Sequence, residues 1–240
     1  HDTISYDGKW AELDAFTPQA LTYERHPFNH PIYILFSSGT TGAPKCIVHS
    51  TGGAMLQHIK EHQLQCDVKA HDRLFFFTTC GWMMWNWLVS GLASDAVLLL
   101  YDGSPFFNDG RILFEYAQTE KMTMLGTSAK FIDALRKVEW TPKDEFDLSS
   151  LRTLPSTGSP LVHESYDYIH EKIKKDIHVC SESGGTDIVS CFLIGNVLSP
   201  VYRGELQGPG LGYDIVAMRD DGTVLQKGEG QGELVCRKPF

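Results

Sequence analysis

Nine consecutive residues, Ser37-Ser38-Gly39-Thr40-Thr41-Gly42-Ala43-Pro44-Lys45, combine the residue types that handle phosphate. Gly39 and Gly42 let the backbone come close to a ligand, Ser37, Ser38, Thr40 and Thr41 supply hydroxyl donors that rotate to suit, and Lys45 adds a compact positive charge. Together they suit a polyphosphate. The hydrophobic run Ile32-Tyr33-Ile34-Leu35-Phe36 precedes the stretch and a shorter one follows, so this region reads as strand, phosphate loop, strand. A Walker loop needs Gly, four residues, Gly-Lys and then Ser or Thr, whereas here Gly39 and Gly42 are two residues apart and Cys46 follows Lys45. That order disfavours a P-loop kinase. Taken alone, a loop of this composition also reads as a plain turn.

The elements that must hold this loop alternate along the chain. Strands are expected at Ile32–Phe36, Cys46–His49, Arg73–Thr78, Ala96–Leu100, Met122–Leu125, Leu151–Leu154 and Asp176–Cys180, with helices at Gly53–His62, Met84–Leu92, Arg111–Thr119, Ala129–Val138 and His163–Lys174. Such alternation predicts an α/β fold: a mostly parallel sheet with helices on both faces. After Asp187 short strands and Gly-rich turns take over, notably Tyr213–Met218, the Asp220-Asp221-Gly222-Thr223 turn and Gly232–Arg237. A smaller antiparallel β-rich part is expected there. The domain reading is a connecting segment over 1–30, an α/β nucleotide- and acyl-binding part over 31–187, and a β-rich part of the same large domain over 188–240.

Composition narrows the partners. A net charge of −9 over 240 residues, without Lys/Arg runs, argues against nucleic acid or an anionic membrane. The longest apolar stretches fall far short of the roughly 20 residues a membrane span needs. Six cysteines, at 46, 66, 80, 180, 191 and 236, contain no Cys-x-x-Cys and read as reduced core thiols of a cytoplasmic protein, not as a zinc ribbon. The chain starts His1-Asp2-Thr3 and ends just past a strand-like Gly232-Glu233-Leu234-Val235-Cys236, so it reads as an excerpt of something longer.

From Ser37 to Lys45 the chain resembles the AMP-forming acyl-CoA synthetase, peptide-synthetase adenylation and luciferase superfamily, matching the form [ST]-[SG]-G-[ST]-T-G-x-P-K at every position. Four further segments follow in that family's order. Thr79-Cys80-Gly81-Trp82-Met83-Met84-Trp85-Asn86 resembles the aromatic segment lining the acyl pocket, and Ser156-Thr157-Gly158-Ser159-Pro160 the Gly-x-Pro turn that holds adenine. Ser183-Gly184-Gly185-Thr186-Asp187 is similar to the Tyr-Gly-x-Thr-Glu segment, and Gly232-Glu233-Leu234 to the Gly-Glu-Leu strand. The resemblance covers about Ile32 to Phe240 and implies a portion of the adenylate-forming N-terminal domain. Two family elements, a Tyr-[Arg/Lys]-Thr-Gly-Asp segment and the small C-terminal domain with its adenylation lysine, do not occur in these residues. The excerpt alone is therefore expected to be inactive.

The resemblance implies an ATP-dependent acid-thiol ligase with CoA as co-substrate. Lys45, Thr186 and Asp187 would be catalytic; Ser37, Ser38, Gly39, Thr40, Thr41, Gly42 and Lys45 would hold the phosphates; Thr157, Gly158, Ser159, Pro160, Ser183, Gly184 and Gly185 would surround adenine. Mg²⁺, which takes one or two carboxylates plus phosphate oxygens, would meet Asp187 or, in the alternative alignment on Ser181-Glu182-Ser183-Gly184-Gly185, Glu182. The Gly81-Trp82 pair and Leu100-Tyr101-Asp102-Gly103-Ser104-Pro105 point to the short-acid branch, and the run from Cys80 to Trp87 to members that take acetoacetate. Trp82, Met83, Met84, Trp85 and Asn86 would then form a short, bulky-walled acyl pocket, with the Asn86 amide able to hydrogen-bond a 3-oxo oxygen. Acetate, propionate or another short acid remains an alternative substrate, and a non-catalytic nucleotide-binding module an alternative of another class.

Two further features compete for notice. His58-Ile59-Lys60-Glu61-His62 has the His-x-x-Glu-His spacing of inverted zinc peptidases, but Gln57, Lys60, Gln63 and Gln65 make the helix read as a solvated one without a third ligand. His49, just past the second strand, reads as structural.

Overall fold

The computed structural model describes residues 17, 19, 20, 22–37, 42–226 and 228–240. Strands β1 (Pro31–Ser37) and β2 (Lys45–Ser50) form an antiparallel hairpin that pairs Ser37 with Lys45 and Ile34 with Val48. Sequence alternation suggests that both would enter the parallel sheet; they pair only with each other among the described residues. The connection 38–44 is too short for a parallel crossover, which takes a dozen or more residues, so antiparallel pairing wins.

The main sheet holds β3 (Arg73–Phe76), β4 (Val97–Leu99), β5 (Met124–Ser128), β6 (Thr153–Thr157) and β7 (His178–Ser181), all parallel, in the order β4-β3-β5-β6-β7. Their period of two feeds two cores. Phe75, Leu125, Leu154 and Val179 point to one side; Leu74, Phe76, Met124 and Cys180 point to the other. On the second side lie α1 (Thr51–Lys60), which continues as a π-helical turn over Glu61–Gln65, and α2 (Met83–Ser90). On the first lie α3 (Arg111–Thr119), α4 (Ala129–Lys137) and α5 (His163–Tyr168), the last extended by a π-helical turn over Ile169–Ile173. Helix α4 begins where the Ser128 hydroxyl accepts the Phe131 backbone N–H at 3.3 Å, and its Phe131, Ile132 and Leu135 are buried.

The helix carrying the His-x-x-Glu-His spacing is not the solvated one its polarity predicts. His58 at the end of α1 and Glu61, His62 and Gln65 in the π-helical turn are buried, and partners satisfy most of their polar groups. Both nitrogens of His58 are engaged, Nε2 with Val189 O at 2.6 Å and Nδ1 with Ser90 Oγ at 2.9 Å, which leaves it no lone pair for zinc. Glu61 accepts the Trp87 indole N–H at 2.9 Å and the Ser190 hydroxyl, tying α1 to α2 and to the strand that contains Ser190.

Past β7 the chain folds back on itself. Strands β8 (Ser183–Gly185), β9 (Ser190–Ile194) and β10 (Gly208–Pro209) make an antiparallel sheet in the order β10-β9-β8, and β11 (Ile215–Met218) pairs with β12 (Glu233–Cys236). The antiparallel character thus begins at Ser183. All six cysteines are free, but only Cys66, Cys180 and Cys191 are core thiols: Cys46 on β2 and Cys80 before α2 are exposed, and Cys236 is half-buried.

Candidate functional site

The carboxyl ends of β6 and β7, strand β8 and the start of α2 meet around a cavity of about 420 Å³. Three stretches that are far apart in sequence supply its walls: Trp82, Met83 and Met84; Thr157, Gly158, Ser159 and Pro160; and Ser181 through Thr186. A crevice outside the carboxyl ends of parallel strands is where open α/β sheets hold ligands.

Each wall has a local cause. Gly158 takes φ +89, a left-handed conformation that suits glycine, so β6 can turn sharply and present Thr157, Ser159 and Pro160. A Cβ added there would lie 3.7 Å from the Trp82 ring, which places the two walls in contact distance. Gly184 answers a different demand: a Cβ on it would lie 2.1 Å from the Ser190 carbonyl oxygen, so only glycine allows β8 to lie this close to β9. The Thr157 hydroxyl donates to Glu182 O at 3.1 Å and fixes the Gly158 turn to the end of β7.

Helix α2 brings in Met83 and Met84 but not their successors. Trp85 and Asn86 are half-buried and are not among the residues lining the cavity. Four consecutive helical residues sweep about 300° around the axis, so the run Met83–Asn86 cannot all face one pocket. Of the residues expected to form an acyl pocket, Trp82, Met83 and Met84 line the cavity, with hydroxyls from the other two walls as their polar neighbours.

The stretch expected to hold phosphate joins strands β1 and β2. Ser37 and Lys45 end the two strands opposite each other, and Lys45 and Gly42 are exposed; Ser38, Gly39, Thr40 and Thr41 lie outside the described residues. His49 on β2 meets Thr186 O at 2.9 Å through Nε2, which anchors the hairpin to the wall of the cavity and gives that histidine a structural role. Asp187 follows in the β8–β9 turn, exposed and not itself lining the cavity.

Glu182 is 6% exposed and lines the cavity. Burial, followed by the nearby Cys180 and Glu61, pushes its carboxyl well above the usual carboxylate range. Among the described residues no Lys or Arg pairs with it; its side chain accepts only the Cys180 thiol, at 3.5 Å. Several wall residues were not expected from sequence. Ser181 has a signal, since it ends β7 in register with Ser156 on β6. Tyr166, whose hydroxyl donates to Glu205 O at 2.9 Å, and the segment Gly204–Leu206 have none, because they reach the cavity only through tertiary packing.

A model of the AMP-binding enzyme family matches residues 3–240. The chain belongs to this family. It is 59% identical over 228 residues to the acetoacetyl-coenzyme A synthetase of Rhizobium meliloti (strain 1021), covering 95% of this chain and 35% of the relative. It is 48% identical over 220 residues to the acetoacetyl-CoA synthetase of Gallus gallus, covering 92% and 33%. Among solved structures, the acetoacetyl-CoA synthetase from Streptomyces lividans superposes with a TM-score of 0.88 at 41% identity, covering 96% of this chain and 36% of that one. The chain thus spans about a third of the length of the relatives it matches, and its α/β architecture is that of a fragment of the adenylate-forming fold. No described helix is long and apolar enough to cross a membrane.

Proposed function

We propose that the full-length polypeptide is a cytoplasmic ATP-dependent ligase that activates acetoacetate as acyl-adenylate, with release of pyrophosphate, and then passes the acyl group to CoA with release of AMP. The observation that carries this reading is the convergence of the family's aromatic, adenine-turn and Ser183–Thr186 segments on one cavity. Likeness to relatives named for acetoacetate supports the choice of acid. The free thiols accord with a reducing compartment.

Carboxylate oxygen attacks the α-phosphorus, and like charge on both reactants opposes it, so cationic donors and fixed orientation do most of the work. Thr157–Pro160 and Ser183–Gly185 would hold adenine, Trp82, Met83 and Met84 would confine a four-carbon acid, and Lys45 at the hairpin end would draw the leaving pyrophosphate. Ser37–Gly42 would add donors to the same phosphates. The donor chemistry fits Mg²⁺ at Asp187, an exposed carboxylate one residue from the carbonyl that anchors the hairpin. When bound, Mg²⁺ supplies neutralisation of the triphosphate. Glu182 suits this less, because it is buried beside thiols.

The test is kcat/KM of the full-length protein for acetoacetate, acetate, propionate and butyrate, in wild type and Asn86→Leu. Acetoacetate should lead in both, since Asn86 does not line the cavity. Preference for acetate in wild type removes acetoacetate from the function, and a shift toward butyrate in Asn86→Leu returns that amide to the acyl pocket.

A further inference from the structure

Cys66, Cys180 and Glu182 bring their donor atoms within 4.8 Å of one another in the core beneath the cavity floor. They are 2%, 0% and 6% exposed. Cys66 caps the π-helical turn at the end of α1, Cys180 lies on β7, and Glu182 follows where that strand ends. The cluster therefore joins a helix to the sheet and opens on the cavity through Glu182 alone.

Its donors are two thiols and one carboxyl. The Gly195 backbone N–H donates to Cys180 Sγ at 3.2 Å, and a Cβ on Gly195 would lie 2.4 Å from that sulfur, so glycine is required for the approach. Two thiols and one carboxyl thus face one another in the core, and no Lys or Arg pairs with Glu182 among the described residues.

We infer that Cys66, Cys180 and Glu182 bind one thiophilic divalent cation of the zinc class, with the fourth position directed to the cavity. Binding forms two sulfur–metal bonds and one oxygen–metal bond, sends the displaced protons to solvent and changes no oxidation state. A tetrahedral ion with metal–sulfur distances of about 2.3 Å needs donors roughly 3.8 Å apart, which falls within the 4.8 Å that bounds the three donor atoms. Hard cations prefer all-oxygen sites, so this ion does not compete for Asp187. The inference does not depend on the proposed ligase reaction.

The test uses the full-length protein, reduced and chelator-treated, titrated with Cd²⁺ alone. A thiolate-to-metal charge-transfer band should saturate at about one equivalent, and Zn²⁺ should compete it away. Cys66→Ser should at least halve the band with the far-ultraviolet circular dichroism unchanged, whereas a Cys46→Ser/Cys80→Ser variant should keep it. No band in wild type at one equivalent overturns the site, whatever the variants do, as does a band that survives Cys66→Ser but is lost with the two exposed cysteines.

Discussion

Lys45 ends its strand exposed and opposite Ser37, where its charge is free to meet a ligand. Only the first half-reaction contains a triphosphate, so Lys45→Ala should slow adenylate formation by about 100-fold while thioester formation from pre-made acyl-adenylate stays near wild type. Single-turnover rates measure both, and equal losses would make Lys45 structural. The two candidate carboxylates separate in the same way. Asp187→Asn should raise the Mg²⁺ concentration required for activity more than Glu182→Gln does, because Asp187 is exposed and Glu182 is buried against Cys180. A larger effect of Glu182→Gln in the Mg²⁺ titration would reverse the assignment.

Two elements owe their form to demands that a single residue reveals. Strand β8 lies so close to β9 that Gly184→Ala puts a methyl group against the Ser190 carbonyl, a backbone atom that cannot rotate aside. Overpacking of this kind should cost about 3 kcal/mol in denaturant unfolding and weaken ATP binding together; an unchanged midpoint would show that β8 moves freely. The π-helical turn at the end of α1 buries His62 completely, edge-on to Trp87 at 4.1 Å, with both ring nitrogens unpartnered among the described residues. Burial lowers its pKa to about 3, with a smaller push from His58. A base whose folded pKa is depressed binds its proton more readily when unfolded, so its contribution is fully present above about pH 6.5 and is lost as pH falls toward 3. Between about pH 7.5 and 5 that loss amounts to roughly 2 kcal/mol, and His62→Leu should remove it from the urea-unfolding pH profile. A slope unchanged in His62→Leu would mean that the imidazole finds a partner. Neither element was legible in the sequence. Ser183-Gly184-Gly185 has no strand propensity, and the polar residues around His62 read as a solvated face until the helix changes pitch.

At the scale of the molecule, the alternation of apolar runs was enough to specify a mostly parallel sheet with helices on both faces, because four of its five strands are largely buried. The hairpin was visible as two strands but not as a separate sheet, since sequence shows runs and not which partner each run finds. The site divides along the same line. Segments with a turn or strand end of their own, such as Thr157–Pro160 and Ser183–Thr186, line the cavity. Trp85 and Asn86 do not, because helical rotation carries them off the wall, and Tyr166 arrives from α5 by packing alone. On the proposed reading, the cavity would take nucleotide on one side and a short acid on the other. The most direct measurement is exchange of labelled pyrophosphate into ATP by the full-length protein with CoA omitted. Exchange that requires acetoacetate and is accompanied by AMP is the expected result; exchange independent of any acid, or cleavage of ATP to ADP, would contradict it.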